Sequence, residues 1–229
     1  MSQSGTMNPH PALVIYPAKA AFGRTLPKNK IYEHSKANAR LKDLFVKEVE
    51  QIVWQYKLAP ETINLPARPG VPEIQVFSLR LKAPELNRDV LRAIDGAVQF
   101  PIVFELGFDG HTQVVACYKR PSEADTSRWV LSDYFGTGWL PTSGQRAPMP
   151  LALDLGSLYE QILHRLIPLQ ARPQEPLVAL VARFEEVQAR QREVARTAAR
   201  LDKEKQFKRK VEINATLRKL KTELEQLRR

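Results

Sequence analysis

From Leu177 to Arg229 the chain contains neither glycine nor proline. Those 53 residues permit a continuous helix, about 80 Å long at roughly 1.5 Å per residue. A helix of that length cannot be buried in the core of a 229-residue protein. The chain therefore divides into a domain able to build a core and a helical arm.

The arm's apolar residues fall into two blocks. Leu180, Phe184, Val187, Gln191, Val194, Ala198 and Leu201 alternate by four and three, and so do Ile213, Leu217, Leu220, Leu224 and Leu227. That is coiled-coil spacing. The blocks are out of register, because continuing the first would bring Lys205, Lys208 and Glu212 into the seam. The mismatch predicts a break, kink or change of partner near 202–210. An antiparallel hairpin and a long rod paired with another chain both satisfy the pattern. The lack of a turn residue favours the rod.

Charge follows the same division. The net charge is +10, and residues 176–229 hold 15 basic and 8 acidic side chains against 20 and 17 in the rest. Arg190, Arg192, Arg196, Arg200, Lys203, Lys205, Lys208, Arg209 and Lys210 crowd the middle of the arm. Such a cluster forms either the solvated face of a coiled coil, a phosphate-contacting element or a surface for an acidic protein. Phe207 is the single aromatic among these charges, which does not indicate base stacking.

Before the arm, helical and strand periods alternate. Pro27 suits a first helical turn and Ser35 a helix cap, with a helix over 37–48. Strands are predicted at 49–58, with Ile52, Trp54, Tyr56 and Leu58 on one face, and at 73–82. A helix from Pro84 to Gly96 precedes a near-continuous apolar strand over 100–106. Asp109-Gly110 is a hairpin turn, returning into strands at 113–119 and 129–134. A glycine- and proline-rich loop is predicted over 136–150. An amphipathic helix ends at Pro168. The expected fold is α+β: a mixed or antiparallel sheet with flanking helices, followed by a long basic coiled-coil helix. The expected boundaries are a disordered 1–12, a globular 13–170, a proline-rich linker over 171–176 and the arm over 177–229.

Catalytic signatures are absent. There is no phosphate-binding glycine loop, and the four histidines lack metal-ligand spacing. One cysteine, Cys117, excludes an internal disulfide and reads as a buried, inert thiol. Neither a signal peptide nor a membrane span is recognisable, so a cytoplasmic location is expected. Glu73, Gln75, Glu105 and Lys119 could be assembled into a metal-dependent nuclease site, but their spacing matches no nuclease signature. Glu105 stands inside an apolar strand, where an unpaired carboxylate is costly.

Several segments together resemble a bacterial family known as domain of unknown function 4391. They are Leu26-Pro27-Lys28, residues 49–64, Glu73–Phe77, Tyr118-Lys119-Arg120 and Gly138-Trp139-Leu140, so that the resemblance covers about 13–168. It implies a companion of DNA methyltransferases and helicases in restriction-like or anti-phage loci, and supplies no catalytic residues. The expected function is a non-catalytic accessory subunit that docks on a helicase or methyltransferase, with the nine arm cations contacting duplex DNA or the partner. A divergent nuclease subunit and a structural oligomeriser, self-associating through 177–229, are the alternatives. No metal or cofactor is expected.

Overall fold

The computed structural model describes residues 9–122, 124–125 and 128–229. The chain divides into two compact units, 1–166 and 167–229.

The first unit is built on a seven-stranded mixed sheet. Its elements in chain order are β1 (His10–Ile15), β2 (Ala21–Thr25), α1 (Lys28–Ser35), α2 (Ala39–Glu48), β3 (Val49–Leu58), α3 (Pro60–Ile63) and β4 (Ile74–Leu81). There follow α4 (Arg88–Ala97), β5 (Ile102–Phe108), β6 (His111–Pro121), β7 (Trp129–Gly136), β8 (Leu140–Pro141), β9 (Arg146–Pro148) and α5 (Leu155–Leu166). The sheet order β2-β3-β4-β5-β6-β7 follows the sequence, with β8 beside β6. Only β4 and β5 are parallel neighbours there. Their connection needs a crossover, which α4 supplies. β1 and β9 form a separate parallel pair.

One face of the sheet buries Ile52, Phe77, Leu79, Phe104 and Cys117 with Phe45 of α2 and Val90, Leu91 and Ile94 of α4. Val76, Val103, Val114 and Ala116 are buried on the other face, where α5 packs on β6 and β7. Asp109 and Gly110 have φ of 43° and 70°, so the two-residue hairpin predicted there adopts positive φ at both positions. Gly136 is dictated by crowding, since a Cβ would lie 2.6 Å from the Val114 carbonyl oxygen.

Several local expectations change. Residues 10–12 belong to β1 instead of a disordered tail, and the rest of that expectation, on residues 1–8, lies outside the described residues. Ser35 is the last residue of α1; the cap of α2 is Asn38, whose Oδ1 accepts from the Leu41 amide at 2.9 Å. In β3 a bulge intervenes, with Trp54 opposite Phe77 but Tyr56 opposite Val76. The extra residue carries Tyr56 to the other face, where its ring lies 4.7 Å from that of Tyr16. The segment 136–150, expected as a loop, contains β8 and β9.

The second unit holds α6 (Leu177–Lys203) and α7 (Phe207–Arg228). The break falls within the predicted window, at residues 204–206. The two helices pack antiparallel, so the rod reading gives way to a hairpin. A glycine-free chain can turn here because the connector uses ordinary extended backbone. Glu204 has φ −73° and ψ 134°, and Gln206 has φ −82° and ψ 122°. The Glu204 carboxylate accepts from the Lys205 and Gln206 amides, both at 2.9 Å, and so satisfies amides the turn exposes.

The open end is held by Arg183, which is 6% exposed. Its guanidinium donates to both Glu175 carboxylate oxygens at 2.8 and 2.7 Å, to Gln170 O at 2.7 Å and to Leu227 O at 2.8 Å. The 171–176 segment is therefore part of the hairpin's fastening and not a free linker.

Candidate nucleic-acid interface

Folding the arm back gathers its charge. Residues 196–210 contain seven cations (Arg196, Arg200, Lys203, Lys205, Lys208, Arg209 and Lys210) and two acids (Asp202 and Glu204). The last turns of α6, the connector and the first turns of α7 carry all nine, so the hairpin's closed end is strongly positive. Among the described residues none of the seven cations forms an ion pair. Glu204 feels the charge of two of them, Arg209 and Arg200. Its carboxyl is held below the usual range first by the Gln206 amide, then by the Lys205 amide, Arg209 and Arg200.

Two of the nine sequence-predicted cations stand apart. Arg190 is drawn into the hairpin, with Nη1 2.9 Å from Glu193 Oε2 and 3.4 Å from Glu223 Oε2. It links α6 to α7. Arg192 is exposed on α6, one turn before the tip.

The tip violates a rule of helix electrostatics. Cations belong at a helix C-terminus and anions at an N-terminus, each worth about 0.3–1 kcal/mol. Arg200 and Lys203 obey this on the last turn of α6. Lys208, Arg209 and Lys210 oppose it, since α7 opens with no acidic residue in its first turn and no side-chain cap. Folding gains nothing from that arrangement. A bound anion would meet both the cations and the free amides of the first turn.

Phe207, the first residue of α7, is 82% exposed, and Val211 one turn on is 55% exposed. In the sequence Phe207 is a lone aromatic among charges; the fold places its ring in solvent at the turn.

The first unit offers weaker candidates. Glu73, Gln75, Glu105 and Lys119 do not converge. Gln75 and Lys119 belong to the face packed by α4, whereas Glu105 lies opposite Ser78 and Val114 on the other face. Glu105 is instead held by Arg146, with two bonds of 2.8 Å, and Arg146 also donates to Val14 O at 3.0 Å. Glu73 accepts from Gln75 Nε2 at 2.6 Å and lies 3.4 Å from Lys57. Among the described residues no group of three or more His, Cys, Asp and Glu could hold a metal ion.

Lys119 is buried and serves the fold. Its ammonium donates to the carbonyls of Asp95 and Val98 at the C-terminus of α4 and stands 3.8 Å from Asp95 Oδ1. Tyr134 Oη donates to Asp95 Oδ2 at 2.5 Å. Burial raises the Asp95 carboxyl to about 6, against lowering by Lys119 and Tyr134. Burial likewise pushes the Cys117 thiol well up, as expected of an inert cysteine.

A cleft of about 470 Å³ between α1, α2 and α4 is lined by His34, Lys36, Arg40, Asp89 and Arg92. Two of its cations are engaged, Arg40 3.9 Å from Asp89 and Arg92 3.2 Å from Asp133.

The tip's cations, then, form no ion pair among the described residues, whereas Arg146 and Lys119 of the sheet unit are held by Glu105 and Asp95. The family model described as domain of unknown function (DUF4391) matches residues 15–224. The chain belongs to that family. The match runs beyond residue 168, where the sequence resemblance stops, and takes in most of the hairpin. No curated protein and no solved structure is significantly similar to the chain. No helix among the described residues is long and apolar enough to cross a membrane.

Proposed function

We propose that this DUF4391 protein is a non-catalytic accessory subunit that contacts nucleic acid through the closed end of its C-terminal hairpin. The sheet unit docks on a larger helicase or DNA methyltransferase of a restriction-like, anti-phage system. The two arm helices act as an antiparallel coiled coil that presents the charge. One observation carries this reading: a turn at residues 204–206 brings together seven cations against two acids. The helicase or methyltransferase partner rests on the family resemblance.

The two alternatives draw less support. Self-association through 177–229 would need an apolar seam, but Ile213, Leu217, Leu220 and Leu224 are already buried in a single chain. A nuclease would need carboxylates and Lys119 together, and Glu105 and Lys119 occupy opposite faces of the sheet.

Fluorescence anisotropy with labelled duplex DNA over a salt series tests the proposal. The expected result is tight binding at low salt with a steep logarithmic salt dependence. Replacing Lys205, Lys208, Arg209 and Lys210 together by Ala should flatten that slope by about one unit for each phosphate no longer neutralised. Equal binding by the quadruple variant and the unaltered chain would remove the tip from the interface. Absence of binding at low salt to this duplex and to a single strand of equal length would overturn the reading.

A further inference from the structure

Phe207 poses a question the cations do not answer. Among the described residues only two aromatic side chains are exposed, Phe22 at 42% and Phe207 at 82%. Phe22 has a neighbour, since its ring lies 4.2 Å from that of Trp54. Phe207 has none within stacking distance among the described residues. It occupies the first position of α7, where the ring caps nothing and fills no core. Lys205, Lys208 and Arg209 flank it in sequence, and the last turn of α6 adds Arg200 and Lys203.

We propose that the hairpin tip binds single-stranded nucleic acid, with the Phe207 ring stacked on one unpaired base and the flanking cations on the adjoining phosphates. This inference rests on the nucleic-acid reading above and names the strand state it selects. An aromatic ring and a base face cover one another regardless of sequence, because every base has a π-face. In a duplex those faces are already covered by neighbouring base pairs. A ring on a hairpin tip reaches one only where a strand is unpaired. Arg196, Arg200 and Lys203 recur at intervals of four and three on α6, one face of the helix, and form a line of charge along which a backbone can run. The first turn of α7, with its uncapped amides and three cations, receives the next phosphate.

A protein partner fits less well. A stable protein interface covers about 800 Å² on each side around an apolar centre. The tip offers Phe207 and Val211 as its exposed large apolar residues, surrounded by charge of one sign. One ring among many cations is a poor anchor for a protein and a sufficient one for a nucleotide.

The experiment uses the full chain and three probes: a short labelled oligothymidylate, its oligouridylate counterpart and a duplex of equal length. Phe207→Ala should weaken binding of the single strands by about 5- to 150-fold, the range for losing one base–aromatic stack. It should leave duplex affinity and the salt slope unchanged. Phe207→Trp should restore the loss, which separates stacking from a change in the fold of the tip. The two single-stranded probes show whether DNA or RNA is preferred. Unchanged single-strand affinity in Phe207→Ala, or an equal drop on duplex and single strand, would overturn the proposal while leaving the basic tip as a phosphate-binding element. If the unaltered chain bound none of the probes, the broader nucleic-acid reading would fail and this one with it.

Discussion

Arg183 and Glu175 meet through two hydrogen bonds of 2.8 and 2.7 Å, with their side chains only 6% and 9% exposed. This buried pair ties the entry of the hairpin to its exit, because the same guanidinium reaches Leu227 O near the end of α7. Arg183→Met should strand Glu175 and release two carbonyls, Gln170 O and Leu227 O. The expected loss is about 3–5 kcal/mol, as when one partner of a buried ion pair is removed. Because Trp54, Trp129 and Trp139 all lie in the first unit, tryptophan fluorescence should be spared while helical circular dichroism melts earlier. Coincident loss of both signals would refute the assignment to the hairpin.

The same pair sets an acid limit. Hydrogen bonds from Arg183 hold the Glu175 carboxyl at about 2, below its ordinary 4.5. A depressed carboxylate stabilises the fold fully above the unfolded value and loses that contribution as pH falls towards the folded one. Hairpin stability should therefore decline between about pH 4.5 and pH 2. Glu175→Gln should be less stable at neutral pH and show a flatter acid profile, measured by hydrogen exchange over 177–228.

Asp95 runs in the opposite sense. Its carboxyl is raised from 3.8 to about 6 by burial, so the folded chain retains a proton that the unfolded chain releases. Stability from this group should fall as pH rises from about 4 to about 6 and level off above. Asp95→Asn keeps an acceptor for Tyr134 and should abolish that slope, worth about 2–3 kcal/mol. Urea titrations across this range would show it, and an unchanged slope in the variant would place the titration elsewhere.

Tyr159 repairs a bulge. Between Cys117 and Lys119 the pairing of β6 with β7 slips, and Tyr159 Oη donates to Cys117 O at 2.7 Å and accepts from the Lys119 amide at 3.0 Å. Tyr159→Phe keeps the ring and removes both bonds. Two buried backbone groups are left unpaired, at a cost of about 1–3 kcal/mol for each orphaned group. Denaturant unfolding by tryptophan fluorescence measures it; a shift near zero would mean that water or a neighbour satisfies both groups.

Arg146 and Glu105 tie β5 to β1 and β9. Arg146→Leu alone should cost about 1–3 kcal/mol by leaving the carboxylate without its donors, whereas the double change with Glu105→Leu should cost less. A thermodynamic cycle built on thermal melts decides the matter, and additive effects would show that the pair is not coupled.

The α+β class is legible in the sequence because its periods are local. The apolar run of β5, the Asp109-Gly110 turn and the α5 stripe each express a rule that operates within a dozen residues. Tyr56 departs from its expected face because a bulge resets the two-residue period, and nothing in Val49–Leu58 marks it. The partner of Glu105 lies 41 residues away on a three-residue strand, beyond the reach of any local pattern. The hairpin is half legible. The register slip between the two heptad blocks locates the break, but its direction depends on connector dihedrals that common residues adopt. The cations of the candidate site are visible in the sequence, while the exposure of Phe207 depends on the turn.

The connector over residues 204–206 asks little of its side chains beyond the Glu204 carboxylate. A glycine-dependent turn fixes residue identity at its apex, because only glycine tolerates the required dihedrals freely. Here Lys205 and Phe207 can be exchanged for other residues without disturbing the backbone that carries them. The apex is in that sense interchangeable. Selection can change the apex in charge, size or aromaticity while the stem beneath keeps folding in the same way.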